Sequence, residues 1–328
     1  MKAPQGKRNP PRRRIAIAAA IFLTLCAVGT YRFRPEIYFG LFRCIERARA
    51  GLRGATIRVD GDEIAYLMAG DPARPGSSPP IVMIHGFGGD KDNWTRFACH
   101  LPAAVLIVAP DLPGFGDSSK NPDQHYDVTS QAERLTHFLD ALGLRTPVHL
   151  VGNSMGGHIA VKLTLLHPER VASLGLFAPG GVQSPVRSDA EVLREHGKEP
   201  LLVSSRGDFD RFLSLVFEEP PFIPRPVRRY FGEKAAEARP FNAKIWADVH
   251  QSSAPIAPQL AEIGVSALIL WGDNDRVLHV SGADLFARGL RHSATVIMKH
   301  CGHLPMIERP EETAAHYLQF LANPPPSR

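Results

Sequence analysis

The stretch that decides the fold is Val148-His149-Leu150-Val151-Gly152-Asn153-Ser154-Met155-Gly156-Gly157. A short apolar run ends at Gly152, a serine follows two residues later, and an apolar-rich segment from Met155 to Leu166 has the length of a helix. The pattern Gly-x-Ser-x-Gly between a strand and a helix has a steric cause. A serine on so tight a turn needs small neighbours two positions away on each side, or the turn cannot close. Its hydroxyl is then presented at the head of a helix, where the amide of Met155 points at any negative charge that develops. A strand feeding straight into a helix in this way belongs to a parallel sheet.

The chain on either side keeps the same rhythm. Thr56–Val59 and Glu63–Met68 predict a hairpin around Asp60-Gly61-Asp62. Ile81–Ile84, Val105–Ala109, Val148–Val151, Leu174–Phe177, Ala267–Leu270 and Ala294–Met298 are short apolar strands, which makes eight with the hairpin. Helices are expected at Gln131–Leu142, Met155–Leu166, Gly282–Leu290 and Pro310–Leu321. Strands without alternation, separated by helices, are buried on both faces. The fold class is therefore α/β: a mostly parallel eight-stranded sheet with helices on both sides. Gly180–Pro258 breaks the rhythm, with Pro220, Pro221, Pro224 and Pro226 in quick succession and helical pieces at Asp189–His196 and Phe209–Phe217. It reads as a helical cap inserted at the carboxyl edge of the sheet, its apolar residues from Phe209 to Phe222 packing on the core or lining an acyl pocket.

A serine hydroxyl alone is a weak nucleophile and needs a base within hydrogen-bond reach. His303, in Cys301-Gly302-His303, follows the last strand and precedes the last helix. A base of this kind needs a carboxylate to fix its tautomer. Asp275, in Trp271-Gly272-Asp273-Asn274-Asp275, follows a strand at the right place, and the chain order Ser154, Asp275, His303 suits the fold. Asp273 is the rival acid and His300 the rival base. His85-Gly86-Phe87-Gly88-Gly89 follows an earlier strand, where glycines let backbone approach a substrate carbonyl; the amides of Phe87 and Met155 are the expected oxyanion donors. His85 is read as bracing its loop rather than moving protons.

The blocks HGFGGDKDNW (His85–Trp94), GNSMGG (Gly152–Gly157), WGDNDRVLHVSGADL (Trp271–Leu285) and CGHLPMIERP (Cys301–Pro310) resemble the α/β-hydrolases of the monoacylglycerol-lipase type, over about residues 35 to 322. The resemblance implies Ser154 as nucleophile, Asp275 as acid, His303 as base, the amides of Phe87 and Met155 as oxyanion hole, and attachment to a membrane through the first helix. It implies no cofactor and no metal. The cap matches least, and the cap largely sets substrate choice. A short-chain carboxylesterase and a carbon–carbon bond hydrolase of aromatic-ring breakdown are the alternatives, since GNSMGG also occurs in the latter. A catalytically silent binding protein of the same fold has no physical need of all three polar positions.

Composition narrows the field. Of 328 residues, 44% are apolar and 22% charged, the ordinary globular range. The net charge of +5 comes from Lys2, Lys7, Arg8, Arg12, Arg13 and Arg14; the body is near neutral, and no basic stripe suggests nucleic acid as a partner. Directly after these, Ile15–Tyr31 is an uncharged apolar run, and aromatic and basic residues from Tyr31 to Phe39 suit a membrane interface. A retained single-pass anchor competes with a cleaved signal peptide, which would make the protein secreted or periplasmic, and the continuation into the aromatic-basic stretch favours the anchor. Cys26, Cys44, Cys99 and Cys301 form no metal or redox motif. The expected organisation is a tail and anchor at 1–35, a core in two parts at 36–179 and 259–328, and the cap at 180–258.

Overall fold

The computed structural model describes residues 16, 20, 29–32, 34–73, 78–252 and 255–325. Most of the apolar run Ile15–Tyr31 lies outside them, as does Cys26. No helix among the described residues is long and apolar enough to cross a membrane.

Eight strands form one sheet: β1 (Arg53–Val59), β2 (Asp62–Ala69), β3 (Ile81–Ile84), β4 (Ile107–Pro110), β5 (Val148–Asn153), β6 (Val171–Phe177), β7 (Ser266–Gly272) and β8 (Ser293–Met298). Their order is β1-β2-β4-β3-β5-β6-β7-β8, antiparallel where β2 meets β1 and β4 and parallel elsewhere. The β1–β2 hairpin turns at Asp60 and Gly61, both at positive φ (50° and 88°), the turn that matches the twist of paired strands. β1 begins three residues before its predicted start. Its early residues are exposed and carry no apolar pattern, as fits an edge strand.

Helices cover both faces. In chain order they are α1 (Pro35–Arg49), α2 (Thr95–Ala98), α3 (Val128–Ala141), α4 (Met155–Leu166), α5 (Asp189–Glu195), α6 (Arg206–Val216), α7 (Arg225–Ser252), α8 (Gly282–Gly289), α9 (Pro305–Glu308) and α10 (Pro310–Ala322). α3, α4 and α8 close one face through Leu135, Phe138, Ile159, Val161 and Phe286. α2 and α10 close the other, where Phe97 meets the rings of Phe177 and Tyr317 at 5.6 and 5.7 Å. Each fully buried ring of this kind contributes about 2–3 kcal/mol of transfer free energy. α3 starts at Val128 rather than Gln131 because the Asp127 carboxylate accepts from the amides of Thr129 and Ser130.

Between β6 and β7 the chain makes α5, α6 and α7. Beyond the helical pieces expected at Asp189–His196 and Phe209–Phe217, α7 runs 28 residues with Pro240 inside it. Pro226 falls in its first turn, where a missing N–H costs nothing. Phe209, Leu213, Leu215, Val216 and Phe217 form a cluster of their own with Val277. Phe222 is 92% exposed, so it neither packs on the core nor lines a pocket.

Candidate active site

The residues singled out in the sequence converge where β5, β7 and β8 end. Ser154 follows β5 at φ 55° and ψ −119°, a strained position for a residue with a side chain. Its amide donates to the Phe177 carbonyl at 3.0 Å, and its own carbonyl accepts from His158 and Gly180. The glycines of the motif are sterically required. A Cβ on Gly152 would stand 2.3 Å from the Gly156 oxygen, and one on Gly156 would stand 2.2 Å from the Ile84 oxygen.

Asp275 and His303 meet directly. His303 Nδ1 donates to Asp275 Oδ2 at 2.7 Å, with both side chains buried. Three further donors fill the carboxylate: Trp271 Nε1 on Oδ2 at 3.0 Å, and the amides of Val277 and Leu278 on Oδ1 at 2.8 and 3.0 Å. The Asp275 carboxylate is thus fixed by four donors and in turn fixes the imidazole tautomer, with the proton on Nδ1 and the lone pair on Nε2. The His303 loop is tied to the serine turn by Asn153, whose Nδ2 donates at 3.0 Å to the carbonyls of both His303 and Phe177.

The rivals lie elsewhere. Asp273 faces Lys299 at 3.5 Å. His300 is exposed at a left-handed φ of 51°, and its carbonyl accepts from Arg309. His85 is buried; its Nε2 accepts from the Leu112 amide at 3.0 Å while Nδ1 donates to the Gly86 carbonyl at 2.8 Å. Burial lowers its pKa, which leaves a neutral brace for the loop.

The 85–89 loop abuts the serine. A Cβ on Gly86 would stand 3.1 Å from Ser154 Cβ. Among the described residues, nothing in the protein accepts from the amides of Phe87 or Met155, so both can serve an oxyanion. The Phe87 ring packs against Trp246 of α7 and Phe115, at 5.0 and 5.8 Å. The pocket of about 330 Å³ lined by Asp60, Glu133, Arg134 and His137 shares no residue with this group.

The sequence profile described as the alpha/beta hydrolase fold matches residues 79–310. The chain belongs to the α/β-hydrolase family. Among similar α/β-hydrolases, Lipase 1 of Psychrobacter immobilis is 34% identical over 264 residues, 79% of this chain and 81% of that one. Monoacylglycerol lipase ABHD6 of Homo sapiens is 28% identical over 309 residues, 91% of each chain. A solved structure of a membrane phospholipase A, described as a bacterial virulence factor, superposes with a TM-score of 0.84 at 44% identity, covering 94% of this chain and 98% of that one.

Sequence reasoning missed two contributors to this site. Asn153 was passed over as the variable residue of the motif, although its place beside the serine was a clue. Trp271 is the other. It lies four residues before Asp275 and reads as a core ring, and only the fold turns its N–H onto the carboxylate.

Proposed function

We propose that the protein is a serine hydrolase of carboxylic esters, acting on single-chain acyl esters such as monoacylglycerols through an acyl-enzyme on Ser154. The observation that carries the reading is the Asp275–His303 pair at 2.7 Å, on a loop that Asn153 bonds to the serine turn. Ser154 Oγ attacks the ester carbonyl while His303 Nε2 takes its proton. The amides of Phe87 and Met155 hold the oxyanion. The alcohol leaves with the proton from His303, and water repeats the sequence to release the acid. Asp275 stays ionised throughout and stabilises the imidazolium.

Gly180–Pro258 acts as the cap over this centre, with Trp246 against the oxyanion loop. The protein works at a membrane, attached through the amino-terminal run. Supporting this, Ile37, Leu41, Phe42 and Ile45 of α1 are between 46% and 59% exposed, an apolar face that directly follows that run. Glycerolipid substrates partition into the same phase. The names of the lipase and monoacylglycerol-lipase relatives point the same way.

The test is the initial rate of the purified full chain in detergent on monoacylglycerols of increasing acyl length and on a short aryl ester, with Ser154→Ala as blank. Rates that climb with acyl length and vanish in Ser154→Ala are expected. Full activity in Ser154→Ala would refute the site. Activity confined to the short ester would leave a carboxylesterase and refute the substrate class.

A further inference from the structure

α1 is fastened to the body by rings on one side, where Phe39 meets Tyr230 and Phe231 of α7 at 6.0 and 4.6 Å, and by charge on another. No residue of it is buried, yet its inner side makes a cluster of ion pairs. Arg47 grips Asp92 with two prongs, Nε to Oδ1 and Nη2 to Oδ2, each at 2.6 Å. Arg43 adds a third contact to Asp92 at 3.4 Å, and Glu46 takes Arg96 at 2.8 Å and the Thr95 hydroxyl at 3.3 Å. The Arg47 and Asp92 side chains are only 20% and 13% exposed. Isolated surface pairs contribute little, but a two-pronged, half-buried arginine–carboxylate pair fixes geometry as well as charge.

All these partners lie immediately after the loop that carries the Phe87 amide. Gly86, Gly88 and Gly89 have no side chains to wedge that loop, which leaves His85 and the Phe87 ring as its only side-chain anchors. Its backbone is set by the Gly89 amide on the Gly86 carbonyl at 3.1 Å, and by Asp90 at the head of the 3₁₀ turn Lys91–Trp94. The Asp90 carboxylate accepts from the Asp92 amide at 2.9 Å, while the Asp90 amide donates to Asn93 Oδ1 at 2.7 Å. The turn is gripped from two sides. Inside, the Lys91 amide and ammonium bind Asp111 at 2.7 and 2.5 Å. Outside, Asp92 binds Arg47. The Phe87 N–H goes where this turn goes.

We propose that Arg47 and Asp92 are positioning residues for the oxyanion loop, so that α1 sets the placement of the Phe87 amide against Ser154. The inference rests on the acyl-transfer reading, in which that amide holds the oxyanion. Removing the outer grip frees Asp92 on its solvent side, leaving the turn held by Lys91, by the buried Trp94 and by Glu46 on Thr95 and Arg96, and loosens the glycine loop that precedes it. A drift of about 1 Å at a transition-state donor is costly in rate while leaving ground-state binding nearly untouched.

The experiment uses the full chain in detergent, a soluble short-chain aryl ester, and an aliphatic trifluoromethyl ketone whose serine adduct places an oxyanion in the hole. Arg47→Ala and Asp92→Asn should each lower kcat roughly ten- to hundredfold. KM should stay within about twofold, and ketone affinity should fall in step with kcat/KM. Arg47→Lys, which keeps the charge but not the fork, should recover part of the loss, and the double variant should be no worse than either single one. Arg170→Ala breaks a remote pair with Asp140 (2.9 Å; Arg170 side chain 13% exposed) and should lower Tm without touching kcat. A fall in Tm for the α1 variants with kcat and ketone affinity unchanged would overturn the proposal. If Arg47→Ala does not fold, the isosteric Asp92→Asn decides alone. A parent protein blind to the ketone, with Ser154→Ala still active, would take down the acyl-transfer reading and this one together.

Discussion

Replacing Asp275 by asparagine tests the assignment of the acid most sharply, because the structure leaves an amide no comfortable orientation. Four donors converge on this carboxylate: His303 Nδ1 and Trp271 Nε1 on one oxygen, the amides of Val277 and Leu278 on the other. If the asparagine keeps its oxygen toward the two backbone amides, its NH₂ meets the Trp271 N–H and must donate to His303 Nδ1. The imidazole then carries its proton on Nε2 and cannot accept one from Ser154. If the amide flips, the tautomer is saved but the NH₂ faces two buried backbone N–H groups, each costing about 1–3 kcal/mol when left unpaired. The first orientation leaves one donor conflict and the flipped one two, so the wrong tautomer dominates.

A loss of about 10⁴ in kcat is therefore expected, which corresponds to about 5.5 kcal/mol in the barrier. The assay is steady-state hydrolysis of a short aryl ester at neutral pH, with fluorophosphonate labelling of Ser154 as a second readout and near-UV circular dichroism to show that the fold persists. Asp273→Asn is the matched control, since Asp273 faces Lys299 instead. The reasoning is refuted if Asp275→Asn keeps kcat within about tenfold of the parent, or if Asp273→Asn is equally damaging.

Two further outcomes follow from the packing. Gly156→Ala would push a Cβ to 2.2 Å from the Ile84 oxygen and 2.6 Å from that of His85, both backbone atoms that cannot step aside. It should cost about 1–3 kcal/mol or more in urea denaturation and abolish labelling, whereas Gly264→Ala, which meets open space, should melt with the parent. His158 is buried beside Gly181, and burial lowers its pKa from 6.5 to about 4. The native state keeps it neutral while the unfolded chain protonates it, so its share of stability is whole above pH 6.5 and drains away as pH falls toward 4. At 1.36 kcal/mol for each pH unit this amounts to about 3 kcal/mol. Denaturation midpoints of His158→Gln should fall less steeply over that window than those of the parent, and parallel curves would count against the assignment.

The sheet and the three polar positions were legible because each rests on a short-range constraint. Gly152 and Gly156 advertise a turn that tolerates no side chain, and β3 and β5 are apolar because both their faces are covered. What escaped was decided at longer range. α1 docks through mixed contacts, Arg47 and Glu46 by charge and Phe39 against the rings of Tyr230 and Phe231, which leaves no continuous apolar stripe to read. α7 was hidden by Pro226 and Pro240, although its buried Ile245 and its Trp246 give it tertiary support that outweighs the prolines. Asn153 and Trp271 carry no pattern at all; their roles exist only once β5, β7 and the His303 loop are side by side.

The insertion between β6 and β7 is not a lid laid over a finished machine. The His303 amide donates to the Val216 carbonyl at 2.9 Å, at the end of α6. A Cβ on Gly302 would strike the Glu218 amide nitrogen at 2.7 Å. Glu308 joins the two segments, accepting from the amides of Glu219 and Gly302 at 2.8 and 2.9 Å, and burial raises its pKa. The His303 loop is thus seated partly on Val216–Glu219. Changes of substrate preference are expected from α7, which meets the 85–89 loop at the Phe87–Trp246 ring contact. Changes at the end of α6 move the imidazole itself, so they should alter kcat for every ester alike. Selectivity is therefore expected to follow changes in α7, and turnover changes at Val216–Glu219, where α6 ends and the chain leaves it.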